Sequence, residues 1–390
     1  MDLENFQLLF TREGKWALES AEAFEPREKD FLGEFKMLAK RFPRDLARAA
    51  LETAILRGEA GSKFPKAGKM YFTREALEQA SPWEVAQHRA GRYAKFDHAA
   101  DLGCSIGSDS LALAAVCQVT GIDNDPLRLA MAQANAEALG VNASFLEADL
   151  TGASLRELLP GVQALFFDPA RRKDHQRAFS VEDYHPPLSI LKDWLADFPA
   201  LGVKVSPAVD LAELEGYDCE VEFISLNGNL KEAVLWFGPL KEGHSRQATL
   251  LPGPHTLTED PAAEQRLSEP GAYLYEPDAA VLRAGLVTTL GAQLGAAQLD
   301  PEIAYLTADS LTETPFARVW QVEDWMPFQL KRLRTHLRER NIGRVTVKKR
   351  GSPIVPEELI QELRLEGEEE RVLFLTQLKG KPIVIIAKVE

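Results

Sequence analysis

Between residues 98 and 245 short apolar runs alternate with helical stretches, and this alternation limits the fold more than any other feature of the chain. "HAADLGCS" precedes a helix at about 107–117, and "VTGIDND" precedes one at about 126–139; "ASFLEADL", "ALFFDPARR", "LGVKVSP" and "EAVLWFGPL" follow in turn. Parallel strands cannot be joined by a hairpin and need a crossover, usually a helix, so this order reads as a doubly wound parallel sheet. The expected fold class is α/β, Rossmann-like. In such a sheet ligands sit outside the carboxyl ends of the strands, where the strand order reverses. Function is therefore to be sought in what each strand ends on.

The first strand ends in "DLGCSIGSDSLALA". Gly103 and Gly107 let the backbone turn tightly and approach a ligand. A dinucleotide fingerprint needs G-x-G-x-x-G, but Ser105 stands at the middle glycine and Asp101 precedes the first. An acid sits badly beside a pyrophosphate and well beside an ammonium, which S-adenosylmethionine carries without any phosphate. Twenty residues after Gly103, Asp123 is placed to accept from two ribose hydroxyls, with Asn124 next to the adenine. The third strand ends at Asp149, suited to accept from the adenine amino group, with Leu150 packing nearby. The fourth ends at Asp168. Four strand-end acids behind a glycine turn are expected to bind S-adenosylmethionine.

In combination these motifs resemble class I S-adenosylmethionine-dependent methyltransferases over residues 95–245. Upstream, "YFTREALEQAS" looks like the segment that closes over the methionine end in RNA methyltransferases of the trimethylguanosine-synthase type. That likeness implies contacts from Phe72 and Thr73; the alternative is a plain N-cap at Thr73. Enzymes of this superfamily that methylate exocyclic base amines carry Asp/Asn-Pro-Pro-aromatic at the fourth strand end, where the acid or amide accepts from the NH2 and the ring stacks on a flipped base. Here the slot reads Asp168-Pro169-Ala170-Arg171. Asp168 is the expected orienter of the acceptor amine. Arg171 is expected to stack on a base or hold a phosphate, both arginine habits; a salt bridge of Arg171 or Arg172 to Asp174 or Glu182 is the structural alternative. The slot is also one residue from the Asp-Pro-Pro-Arg of uracil C5 methyltransferases, a chemistry that needs a cysteine nucleophile, for which only Cys219 is available outside the glycine loop.

"EPDAAVLRAGLV" and "VTVKKRGSPIVPEEL", taken with "DPARR", resemble bacterial methyltransferases with a C-terminal THUMP-like domain, over most of residues 60–390. THUMP domains hold structured RNA and feed a base to the catalytic domain. The resemblance thus implies a tRNA or rRNA partner and phosphate contacts from Lys331, Arg332, Arg334, Arg338, Arg344, Lys348, Lys349 and Arg350. Charge distribution is compatible with this. The chain's net charge of −14 argues against wholesale nucleic-acid binding, but residues 331–350 hold nine basic residues and one acid.

A chain of 390 residues exceeds one ordinary core. The expected division is a helical region (1–95), the cofactor-binding domain (96–245), a Pro- and acid-rich linker (246–270) and a C-terminal α+β domain (271–390). Ser81 is expected to N-cap a helix beginning at Pro82. Leu330, Leu333 and Leu337 line one face of a helix, and a closing hairpin turns at about Lys379-Gly380. Three cysteines without a CxxC pair and seven histidines without ligand spacing predict no metal. With no apolar run of membrane length and no cleavable-signal pattern, a cytoplasmic location is expected. The leading reading is an RNA methyltransferase. A protein or small-molecule methyltransferase, or a non-catalytic cofactor-binding regulator, are the alternatives.

Overall fold

The computed structural model describes residues 1–152, 154–170 and 180–389, with the backbone alone at 172–173 and 176–177. The chain forms two compact units, Met1–Glu220 with Lys231–Gly243, and Val221–Leu230 with His244–Glu390.

The first unit is built on the expected parallel sheet. Its strands are β1 (His98–Leu102), β2 (Gln118–Asp123), β3 (Ala143–Glu147), β4 (Ala164–Phe167) and β5 (Leu201–Val205); after β6 (Cys219–Leu226) comes β7 (Asn229–Phe237). β1 is central. It pairs in parallel with β2 on one side, Asp101 opposite Gly121, and with β4 on the other, Asp101 opposite Phe166. β3 continues beyond β2 and β5 beyond β4, again parallel, and β7 closes the run antiparallel to β5. The strand order therefore reverses between β1 and β4, and the two strands that end on Asp101 and Asp168 are neighbours. Every residue of β4 and β5 is buried, which is why these strands read as unbroken apolar runs instead of alternating ones.

Helix boundaries follow local chemistry. Pro126–Leu139 begins where Asp125 accepts from the N–H of Leu127 and Arg128, with Pro126 at the first helical position, and ends at the left-handed Gly140. The helix after the glycine turn is shorter than expected, Ser108–Leu113. The helix expected from Pro82 starts at Trp83 without a side-chain cap, because the Ser81 hydroxyl donates to Glu232 Oε2 (3.2 Å) instead.

Residues 1–95 do not fold apart from the sheet. Phe6, Leu46, Ala50, Phe64 and Phe72 share one hydrophobic core with Ile106, Leu111 and Met131 of the cofactor-binding region. Asn135, fully buried, ties the two together: its Oδ1 accepts from Tyr71 N (2.7 Å), and its Nδ2 donates to Tyr71 O (3.1 Å) and Ile106 O (3.0 Å).

In the second unit, part of the stretch expected as a linker is sheet. β8 (Arg246–Leu251) runs parallel to β6, and β9 (His255–Thr258) pairs antiparallel with β8. The polar residues that made the sequence look loop-like are satisfied internally, since Gln247 and Thr249 both donate to the buried Glu222 carboxylate (3.2 and 2.6 Å). A seven-stranded sheet follows, made of β10 (Tyr273–Pro277), β11 (Ala297–Asp300), β12 (Ile303–Ala308), β13 (Ala317–Pro327), β14 (Ile342–Lys349), β15 (Glu369–Leu378) and β16 (Lys381–Lys388) in the order β11-β12-β10-β13-β16-β15-β14. Alternation puts Phe374, Ile383 and Ile385 in one core and Leu373, Leu375, Val384 and Ile386 in another. The latter packs Leu333 and Leu337 of the helix Leu330–Glu339, as their spacing predicts. The closing hairpin turns on Lys379 and Gly380, both at positive φ. Among the described residues no helix is long and apolar enough to cross a membrane.

Candidate functional site

At the carboxyl ends of β1, β2 and β4 lies a cavity of about 550 Å³, within the range of small-molecule sites. Of the expected cofactor contacts, Gly103, Ser105, Asp123, Asn124, Asp149 and Leu150 line it, and so do Asp168, Pro169 and Ala170. The glycine turn is left-handed three times over: φ is 77° at Gly103, 49° at Ser105 and 82° at Gly107. A serine in that region costs about 1–2 kcal/mol relative to its preferred backbone. The strain is held by Asp123, whose Oδ2 accepts from Ser105 N (2.8 Å) and whose Oδ1 accepts from Asp125 N (3.0 Å). The strand-end acid thus fixes the loop while facing the cavity. Asp149 is more exposed. Its Oδ1 accepts from the Thr151 N–H and hydroxyl (2.8 and 2.7 Å), which hold its carboxyl below the ordinary value.

Asp101 lies beneath the cavity, 1% exposed. Its Oδ2 accepts from the Ser110 hydroxyl (2.5 Å), while Oδ1 is buried without a hydrogen-bond partner. Burial first, then the nearby Asp109 carboxylate, pushes its pKa up to about 8. An unsatisfied buried carboxylate oxygen behind a glycine turn fits a cationic ligand group. The donor set fits S-adenosylmethionine: Asp101 toward the ammonium, Asp123 toward the ribose, Asp149 and Leu150 toward the adenine.

Phe72 and Thr73 are not brought to this cavity. Phe72 is buried against Phe64, ring centroids 5.6 Å apart, and Thr73 caps the helix Arg74–Gln79 by accepting from Ala76 N (3.1 Å). The wall is formed further on, by Ala76 and Glu78–Pro82. Lys63 secures it, donating to the carbonyls of Leu77, Glu78 and Ala80 (2.6, 3.0 and 3.2 Å).

On the acceptor side, Lys204 Nζ from β5 donates to Asp168 Oδ2 at 2.6 Å. The loop that follows is pinned to a second segment, for Ala170 N donates to His185 O (3.2 Å) and His185 N donates to Ala170 O (2.9 Å). Arg171 and Arg172, singled out from the sequence, have side chains outside the described residues. Cys219 does not line the cavity, and burial, reinforced by Asp218, raises its thiol to about 11. A poorly ionised thiol away from the site does not serve the cysteine-dependent C5 chemistry.

Three further groups escaped the sequence reading. Arg89, 2% exposed, pairs with Asp109 (2.5 Å) and Glu232 (2.9 Å) and lies over the Phe166 ring at 4.5 Å. Asp109 and Glu232 line the cavity, and burial raises the Glu232 carboxyl. In the sequence Arg89 is one charge on an unremarkable helix, and "NGNLKE" reads as a turn; only the register of β7 beside β5 brings Glu232 to the site.

In the second unit the expected phosphate contacts are largely engaged. Arg334 donates to Glu362 O, and Arg338 donates to Arg364 O (2.7 Å), both at the end of the helix Pro356–Leu363. Lys348 pairs with Glu276, and Arg350 donates to Ala304 O (2.7 Å). Arg344 is 73% exposed, 3.7 Å from Glu370, and Lys349 is exposed.

Comparison with known proteins agrees with this organisation. Residues 99–161 match a methyltransferase domain model, residues 317–388 a THUMP domain-like model, and residues 2–60 a domain of unknown function. A crystal structure assigned as a methyltransferase from Porphyromonas gingivalis W83 superimposes with a TM-score of 0.75 at 22% identity, covering 93% of this chain and 99% of that one. Uncharacterized S-adenosylmethionine-dependent methyltransferases of Mycobacterium tuberculosis strains CDC 1551 and H37Rv are each 36% identical over 345 residues, 86% of this chain and 94% of theirs. With sheet order, strand-end acids and this extended likeness in agreement, the chain belongs to the S-adenosylmethionine-dependent methyltransferases.

Proposed function

We propose that the acceptor is an exocyclic amine on a base of structured RNA, tRNA or rRNA, presented by the C-terminal domain. The observation that carries this reading is the Asp168-Pro169-Ala170 loop at the cofactor cavity, with Asp168 Oδ2 held by Lys204. That arrangement leaves Oδ1 to accept from an amine N–H. The THUMP-like match at residues 317–388 supports RNA as the carrier.

Bound S-adenosylmethionine supplies an electrophilic methyl group on a sulfonium. The chain's residues do the positioning, on which such a displacement chiefly depends. Asp168 aligns the amine and draws density toward the nitrogen as its proton is lost. The wall at Ala76–Pro82, secured by Lys63, excludes water. Arg171, by its sequence position, holds the nucleotide.

Nucleoside mass spectrometry of RNA from cells with and without the gene tests this. One methylated base should disappear without the gene and return on incubating that RNA with purified protein and cofactor. An unchanged nucleoside profile would favour a protein or small-molecule acceptor.

A further inference from the structure

The N-terminal helices carry a surface that the catalytic reading does not use. Residues 35–48 include Lys36, Lys40, Arg41, Arg44 and Arg48 against one acid, Asp45. Arg41 lies over Trp16 at 5.0 Å and over Phe42 at 5.6 Å. Arg44 and Arg48 lie over Phe35 at 5.5 and 5.8 Å, and Phe35 stacks on Phe31 with an interplanar angle of 5°. Trp16 packs edge-on against Phe42 (4.9 Å) while 52% exposed.

Arginines in an acidic protein usually find carboxylates. This chain has 59 Asp and Glu against 45 Lys and Arg, yet no ion pair or hydrogen bond engages the Arg41, Arg44 or Arg48 side chains among the described residues. The contrast with Arg334, Arg338, Lys348 and Arg350 is direct, since those donors are committed to internal oxygens. Guanidinium planes resting on rings are pre-oriented, keep their N–H edges free, and suit phosphate oxygens. An exposed indole beside them offers a face on which an unpaired base stacks.

We infer that Trp16, Phe35, Arg41, Arg44 and Arg48 form an RNA-docking surface, gripping the phosphate backbone and one unpaired base of the substrate away from the methylated position. The inference rests on the RNA reading of the acceptor site and adds where the chain holds that RNA.

The test is fluorescence anisotropy with a labelled, unmodified tRNA transcript at several salt concentrations. The variant R41Q/R44Q/R48Q, which removes three cationic partners for phosphate, should flatten the slope of log K against log salt by about 2–3. Trp16→Ala should weaken binding roughly tenfold, in line with loss of one stacked base. Thermal unfolding and cofactor binding should match wild type in both variants. Ultraviolet cross-linking of the wild type, which needs no variant to fold, should place RNA on a peptide within residues 1–60. A triple-variant slope equal to wild type, or cross-links confined elsewhere, would overturn the surface while leaving the RNA substrate standing. Absence of tRNA and rRNA binding by the wild type would overturn both readings. Binding to phosphatidylserine vesicles that the triple variant loses, with the RNA slope unchanged, would assign the patch to membranes and overturn the inference.

Discussion

Lys204 Nζ lies 2.6 Å from Asp168 Oδ2, so the acid that ends β4 is held by a cation from the neighbouring strand. Both groups are well screened from water, with side-chain exposures of 4% and 24%. The pair fixes the direction of the carboxylate on which acceptor alignment depends.

Lys204→Met should therefore lower methyl transfer by roughly 100-fold, the cost of misplacing a reacting group by about 1 Å. Cofactor affinity should stay within a few-fold of wild type. Transfer of radiolabelled methyl to RNA from gene-deleted cells, beside calorimetry with the cofactor, separates the two quantities. Equal losses in both would mean that Lys204 supports the fold and not the acceptor side.

Asp101 predicts a pH dependence of opposite sign to the usual carboxylate. Its folded pKa of about 8 lies above the ordinary 3.8, so across that window the folded state keeps a proton the unfolded chain has released. Stability from this group falls as pH rises through the window and levels off above it. Urea midpoints of wild type should drop more steeply than those of Asp101→Asn between these limits. Cofactor binding, which calls for the anionic form beside an ammonium, should strengthen toward pH 8 and release protons. In Asp101→Asn that proton release should vanish, as read by calorimetry in two buffers of different ionisation enthalpy.

Arg89→Met strands two buried carboxylates, Asp109 and Glu232, that now share its guanidinium. Breaking a buried pair from one side costs about 3–5 kcal/mol, and this variant should lose stability on that scale in chemical denaturation. A loss under about 1 kcal/mol, the range of surface pairs, would show that the network is not sealed from water.

Gly103→Ala meets two penalties. Its φ of 77° lies in the left-handed region, and a Cβ would stand 3.0 Å from the Asp168 carbonyl oxygen. The strain alone costs about 1–2 kcal/mol, and the added methyl pushes on the acceptor loop. A lowered melting temperature should accompany loss of both cofactor binding and transfer.

How far this was legible in sequence depended on whether the cause was local. The glycine turn, the helix Pro126–Leu139, the strand-end acids and the turn at Lys379-Gly380 each follow from nearby residues. Thr73 was legible as a cap from its own side chain, whereas Phe72 was misplaced because burial depends on partners such as Phe64, whose approach no local pattern announces. Ser81 shows the same limit: as a cap it obeyed local rules, but Glu232, 151 residues away, took its hydroxyl. Basic residues at 331–350 looked like one open patch, because composition does not reveal which donors end up on carbonyls. Gln247 and Thr249 looked solvated until Glu222 met them in a neighbouring strand.

The close approach of Gly103 to the Asp168 carbonyl has a consequence for how this enzyme can diversify. The turn that grips the donor and the loop that aims the acceptor touch backbone to backbone, with no side chain between them to vary. New acceptor preferences must then arise from the outer rim, at Glu78–Pro82 or His185-Pro186, while the floor is inherited as a single indivisible part.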